Sequence, residues 1–154
     1  MIRVETTVGL NNGELGGYIP NYNSCGPVIE ILRTNENGYW ISQKNNELKN
    51  KQQFIDKSHS KLDDLITLAH EYGHHISNEK NLRTYDYEQA LKLFNGKDGL
   101  GLSISQQNLI LKEEKQAWNF GREVLISFNF ENLKDYDIRE KDGLKNYENR
   151  FKKS

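Results

Sequence analysis

Several features that mark other protein classes are scarce in this chain of 154 residues. It contains 1 Cys, so no internal disulfide can form, and this favours a reducing compartment. No stretch approaches the roughly 20 consecutive apolar residues that a membrane-spanning helix needs. Residues 1–8 also lack the apolar centre of a signal peptide. We therefore expect a cytoplasmic protein.

An excess of charge of either sign is absent as well. The 21 basic and 22 acidic side chains leave a formal charge of −1, which gives no electrostatic reason to expect nucleic acid or a membrane as partner. The chain is polar, with a mean hydropathy of −0.86. Its 8 Tyr, 6 Phe and 2 Trp nevertheless supply bulky apolar groups for one core. We predict a single domain over residues 1–154, whose oligomeric state the sequence leaves open.

The first part of the chain, residues 1–42, has the pattern of a small sheet. Residues 2–8 alternate as in a half-buried strand, and residues 28–32 form a short β-branched run. An Asn-Gly turn signal before the next apolar run predicts a hairpin over residues 29–41. Residues 43–61 are rich in Lys, Asn and Gln, so we predict a polar excursion with one marginal helix at most.

The remainder, residues 62–154, is predicted to be mainly helical. Apolar residues recur at helical spacing, with Ser60 as the N-cap of the first helix and Ser105 as the N-cap of the longest one. The predicted helices span residues 62–78, 87–94, 105–127 and 138–151. The fold class is therefore α+β, with a small antiparallel or mixed N-terminal sheet packed on a mainly helical core.

The first predicted helix carries the residues with the clearest chemistry. His70 and His74 are four positions apart, which corresponds to roughly 40° of rotation and about 6 Å of rise, so their rings can reach one ion. Glu71 lies about 100° round the helix from His70, beside that face rather than on it. This is the H-E-x-x-H pattern of two zinc ligands and a general base. Three of the 4 His fall within residues 70–75, which argues against chance spacing on a core helix.

This pattern predicts a zinc-dependent hydrolase. Zinc lowers the pKa of a bound water to about 7, and Glu71 is the residue we expect to accept its proton as it attacks a carbonyl carbon. A catalytic zinc site also needs a third protein ligand. No His follows His75, so the candidates are carboxylates or Cys25. Glu113 and Glu114 both fall among apolar positions of the longest helix, and helical spacing does not choose between them or exclude a solvated face for either.

Two blocks of this sequence resemble the ImmA/IrrE metallopeptidases. The block from Leu68 to His75 matches their H-E-x-G-H block, and Glu114 to Phe120 matches the E-x-x-A-x-x-F block of a second helix. The likeness is strong over residues 62–77, moderate over 109–126 and weak over 15–34. Gly121 and Trp118 depart from the usual Ala and Asn of the second block.

The resemblance implies a gluzincin-like core in which His70, His74 and Glu114 bind zinc and Glu71 is the base. On that assignment, Glu113→Ala and Cys25→Ser leave zinc binding nearly intact. Characterised members come from bacteria, phages and mobile elements and cleave or inactivate a transcriptional repressor. The resemblance thus implies a specific cytoplasmic protein as substrate, for example a repressor of a phage or mobile element.

The remaining candidates are weaker. His59, Tyr85 and Tyr87 could each stabilise an oxyanion, although an ordinary loop position or packing is the usual role of such residues. Cys25 invites comparison with peptide deformylase, which has a Cys ligand ahead of its H-E-x-x-H. That enzyme carries a Glu-Gly-Cys motif, whereas here Cys25 follows Ser24.

Two other functions remain compatible with this sequence. A zinc-stabilised interaction module would bind a partner without catalysis and would close its metal site with a fourth ligand. A metallo-amidase would use the same chemistry to release a small acyl group rather than to cut a protein. An open site in which Glu71 is essential favours an enzyme over the module.

Overall fold

The computed structural model describes residues 3–7, 16–20, 26–32, 39–43, 53–58, 61–97, 101–131 and 133–152. The chain forms two compact units, residues 1–71 and residues 72–154, and the boundary falls inside the first helix. Predictions that concern Cys25, His59 and Ser60 lie outside the described residues.

The first unit contains two small sheets. Its strands are β1 (Arg3–Thr7), β2 (Gly16–Ile19), β3 (Val28–Leu32), β4 (Tyr39–Gln43) and β5 (Gln53–Ser58). Strand β3 is central in the order β1-β3-β2, where it pairs parallel with β1 and antiparallel with β2. Val28 and Ile29 are fully buried on β3, as its β-branched sequence suggests. The predicted small N-terminal sheet is thus confirmed, and of the two alternatives, antiparallel or mixed, it is the mixed one.

The predicted hairpin over residues 29–41 is wrong. Strand β4 pairs antiparallel with β5, and β3 takes β1 and β2 as its neighbours. Residues 43–61, predicted as a polar excursion, therefore contribute a strand, in which Phe54 and Ile55 stand opposite Ser42 and Ile41. Local composition did not reveal this strand because strand formation depends on partners elsewhere in the chain.

Helices occupy the rest of the described chain. They are α1 (Lys61–Glu79), α2 (Tyr85–Lys97), α3 (Ile104–Ser127) and α4 (Leu133–Phe151). All four predicted helices are present, and α4 begins earlier than expected. Together with the sheets they confirm an α+β architecture that is mainly helical.

The start of α3 corrects the predicted cap. Ser103, not Ser105, is the N-cap, and its hydroxyl accepts a hydrogen bond from the Gln106 backbone at 3.2 Å. The Gln106 side chain in return accepts a hydrogen bond from the Ser103 backbone at 2.9 Å. This reciprocal pair needs a Gln or Glu three residues after the cap, a condition that Ser103 meets and Ser105, followed by Asn108, does not.

In the second unit, α3 packs against α2 and α4. One apolar cluster joins these helices: Tyr87, Ala90, Phe94, Leu102, Ile110 and Phe151. A second contact ties α4 to the middle of α3, where the buried Tyr136 hydroxyl donates to the Trp118 carbonyl oxygen at 2.8 Å. Helix α3 therefore has α2 and α4 as neighbours, and side chains in its middle turns are buried in more than one direction.

Within the part of the chain that the structure describes, no helix is both long and apolar enough to cross a membrane.

Candidate metal centre

Helix α1 brings His70 and His74 one turn apart, as the spacing predicts. Between them in sequence, Gly73 lies directly against α3: a methyl group at this position would collide with the backbone carbonyl oxygen of Ala117. Glycine thus allows a close approach of the two backbones that a residue with a Cβ would prevent. This approach puts the His74 turn of α1 next to the turn of α3 that carries Glu113 and Glu114.

Both acids in the middle of α3 are buried. Glu113 and Glu114 are 3% and 4% exposed, so the alternative of a solvated helix face is wrong for each of them. Helical spacing could not decide this, because it does not reveal how many neighbours a helix has. Helix α3 has neighbours on several sides, and its buried surface is wide enough to include two consecutive residues.

Three side chains form a group that could hold a metal ion: His70, His74 and Glu114. Each offers one ligand atom, and these atoms all lie within 4.8 Å of one another. His74 Nε2 and Glu114 Oε1 are 3.7 Å apart, which is too long for a hydrogen bond. Two ligands of a tetrahedral zinc ion, at about 2.1 Å from the metal, are separated by about 3.4 Å. The donor set of two imidazoles and one carboxylate therefore fits a divalent metal.

Glu113 contacts the opposite edge of the His74 ring. Its carboxylate oxygens lie 3.0 Å and 2.8 Å from His74 Nδ1. Burial by itself would raise the pKa of Glu113, but the interaction with His74 and the nearby Arg83 charge outweigh it and lower that pKa. Glu113 is thus held as a carboxylate that accepts a hydrogen bond from Nδ1.

The pKa of Glu114 is shifted in the opposite direction to that of Glu113. Burial raises the pKa of Glu114, and the neighbouring Glu113 charge adds to the effect, against the opposing influence of His74 and a hydrogen bond with Tyr147 on α4. A carboxylate that burial disfavours gains most from a cation placed beside it. Glu114 is therefore a buried acid whose charged form a bound cation would stabilise, and not a solvated surface acid.

The remaining predicted site residues lie in different surroundings. Glu71 is buried, at 6% exposure. Tyr87 is buried beside Arg83, whose Nη2 lies 3.5 Å from the Tyr87 hydroxyl, and burial together with the Glu113 charge raises the pKa of this phenol above its usual range. Tyr85 is 76% exposed. The two tyrosines suggested as oxyanion donors are thus not equivalent, and His59 lies outside the described residues.

Sequence reasoning missed three residues around the metal group: Glu113 as a partner of His74, Tyr147 as a partner of Glu114, and Arg83 as a nearby charge. Glu113 alone left a signal, since it is an acid on an apolar stripe next to a candidate ligand. Arg83 lies in the connection between α1 and α2, and Tyr147 lies on α4. Neither has a local sequence signal, and only packing brings them here.

Comparisons with models of known protein families, with curated protein sequences and with solved structures find no match to this chain.

Proposed function

We propose that this protein is a zinc-dependent metallopeptidase of the ImmA/IrrE kind that cuts a specific cytoplasmic protein. One observation carries the proposal: two imidazoles and a carboxylate, with ligand atoms within 4.8 Å of one another, are brought together from α1 and α3. Two His and one Glu are also the protein ligands of well-known catalytic zinc sites.

His70, His74 and Glu114 would hold the zinc ion. When bound, zinc supplies Lewis-acid chemistry, in that it lowers the pKa of a water molecule and polarises a carbonyl group. Buried ligands support this role, because an ion in a site of low polarity interacts more strongly with the groups around it. His74 and Glu114 are 8% and 4% exposed.

Glu71 would be the general base. It accepts a proton from the attacking water as the new C–O bond forms at the scissile carbonyl carbon. It then returns that proton to the amine nitrogen as the C–N bond breaks, which leaves a carboxylic acid and a free amine. Its burial, at 6% exposure, and its position next to His70 on α1 support this assignment.

The resemblance of residues 62–77 and 109–126 to ImmA/IrrE peptidases supports a protein substrate, such as a repressor of a phage or mobile element. Enzymes that act in the cytoplasm must spare most proteins. We therefore expect general substrates such as casein to be cut poorly, and the assay should use a repressor encoded beside this gene.

The decisive test compares wild type with Glu71→Gln. We expect one zinc per chain in both proteins, because the substitution keeps both imidazoles and the size of the side chain. Cleavage of the repressor should fall by about 10²–10⁴-fold, the usual contribution of a general base. Zinc is measured by metal analysis after purification without chelator, and cleavage by gel and mass spectrometry.

Glu79→Gln is the matched control, since it changes an exposed acid at the end of the same helix. It should leave both zinc content and cleavage unchanged. Equal cleavage by wild type and Glu71→Gln would show that Glu71 is not the base. Tight binding of the repressor without cleavage by either protein would favour the interaction module, and release of a small acyl group would favour the amidase.

A further inference from the structure

Two adjacent acids of α3 contact opposite edges of one imidazole ring. His74 Nε2 faces Glu114 Oε1 at 3.7 Å, and His74 Nδ1 faces the Glu113 carboxylate at 2.8 Å and 3.0 Å. The first distance suits two ligands of one ion, whereas the second is that of a direct hydrogen bond. Consecutive residues of one helix thus have different relations to the same histidine.

We propose that Glu113 is a positioning residue that holds the His74 ring with Nε2 directed to the metal. This proposal rests on the metal centre proposed above and assigns to Glu113 a role that the sequence did not indicate. A histidine has two nitrogens, and either one can bind a metal. An acceptor that binds the Nδ1 proton fixes both the tautomer and the orientation of the ring.

The surroundings of Glu113 favour this role over that of a ligand. Its carboxylate oxygens lie 3.0 Å and 2.8 Å from His74 Nδ1, and the charge of Arg83 is nearby. Within the described residues, the group whose ligand atoms converge consists of His70, His74 and Glu114 and does not include Glu113. Glu113 therefore accepts the hydrogen bond from Nδ1 of the proposed ligand His74, and Glu114 is the acid that would bind the ion.

This role changes one expectation from the sequence. If Glu113 were only a neighbour of the ligand, Glu113→Ala would leave zinc binding nearly intact. Loss of an outer carboxylate that orients a metal-bound histidine typically weakens metal affinity about 10–100-fold. We expect a loss of this size for Glu113→Ala, and a smaller loss for Glu113→Gln, because the amide oxygen can still accept the Nδ1 hydrogen bond.

The experiment measures zinc affinity of the full chain by competition with a chromophoric chelator. It compares wild type, Glu113→Ala, Glu113→Gln and the control Glu123→Gln, which alters an exposed acid of the same helix. The control should bind zinc like wild type. Zinc affinity within twofold of wild type for Glu113→Ala would overturn the proposal. Loss of zinc by Glu113→Gln as complete as that caused by Glu114→Gln would also overturn it, by making Glu113 a direct ligand.

A second measurement needs no variant and so does not depend on how well Glu113→Ala folds. Nitrogen-15 NMR of zinc-loaded wild type should show His74 bound through Nε2, with the proton on Nδ1. Binding through Nδ1 would overturn the role of Glu113 while leaving the metal centre intact. A wild-type protein that takes up no zinc would instead overturn the metal centre, and the role of Glu113 with it.

Discussion

The middle and the C-terminal end of α3 place charged side chains in opposite surroundings. In the middle, Glu113 and Glu114 are almost completely buried against α1 and α4. A little over two turns later, Arg122 forms an ion pair with Asp137 of α4 through two hydrogen bonds, at 2.9 Å and 3.4 Å. The side chains of this pair remain 38% and 49% exposed. Helix α3 therefore carries both buried acids and a partly exposed ion pair.

The difference shows what each site requires. A buried carboxylate loses its hydration and is costly unless hydrogen bonds or a cation replace the water. An exposed ion pair keeps most of its hydration, so forming it changes the free energy of unfolding very little. The geometry of the Arg122 pair is good, yet the structure depends on it far less than on the way Glu113 and Glu114 are satisfied.

The largest effect is expected at Glu114. Glu114→Gln removes the proposed anionic ligand and should weaken zinc binding by more than the roughly 100-fold that an outer residue contributes. Arg122→Gln, on the same helix, should leave zinc affinity unchanged. Chelator competition on both variants checks this contrast. Retention of wild-type affinity by Glu114→Gln would exclude Glu114 as a ligand.

Glu114→Gln should also change the thermal stability of the metal-free protein, and here the substitution should be favourable. Because burial raises the pKa of Glu114 above its ordinary value of 4.5, the folded state holds this proton more tightly than the unfolded state does. The stability contributed by protonation is full below pH 4.5 and is lost as pH rises through the raised pKa. Metal-free Glu114→Gln should therefore unfold at a higher temperature than metal-free wild type at pH 7. A lower unfolding temperature would contradict this balance.

A smaller but clear effect is expected from Gly73→Ala. The added methyl meets the carbonyl oxygen of Ala117, which is backbone and cannot rotate away, so α1 and α3 must separate. Overpacking of this kind typically costs about 1–3 kcal/mol of unfolding free energy, more than the helix propensity that alanine gains. Denaturant unfolding measures the loss, and zinc affinity should fall with it because His74 and Glu114 move apart.

Gly143→Ala is the control for this prediction. A methyl group there lies 3.2 Å from the Trp118 ring, a side chain that can shift by a few tenths of an ångström. The gain in helix propensity should roughly offset the tighter contact. If Gly143→Ala and Gly73→Ala destabilise the protein equally, the backbone contact at Gly73 is not what limits that position.

The smallest effect is expected at the exposed pair. Arg122→Gln and Asp137→Asn, separately or together, should shift the melting temperature too little to resolve, because solvent screens both charges. Thermal unfolding followed by circular dichroism checks this. The single variants could instead show a large, salt-sensitive loss of stability that the double variant recovers. The exposed ion pair would then contribute to stability as strongly as the buried acids in the middle of α3.

The local elements of the second unit follow from the sequence. Apolar residues at helical spacing predict α1 to α4, and the four-residue separation of His70 and His74 places both rings on one side of α1. These are properties of neighbouring residues, and helix geometry alone converts them into positions in space. The pairing of β4 with β5 was missed, because strand partners are chosen by contacts distant in sequence.

Tertiary structure alone decided which atom of His74 each of the two acids of α3 faces. Glu113 and Glu114 are the same residue type, adjacent in sequence and both buried, so nothing local distinguishes them. They differ because Gly73 lets α1 approach α3 closely, so that Glu113 meets His74 Nδ1 and Glu114 lies on the Nε2 side of the ring. Which atom meets which depends on the packing of whole helices, and a pattern along one helix does not contain that information.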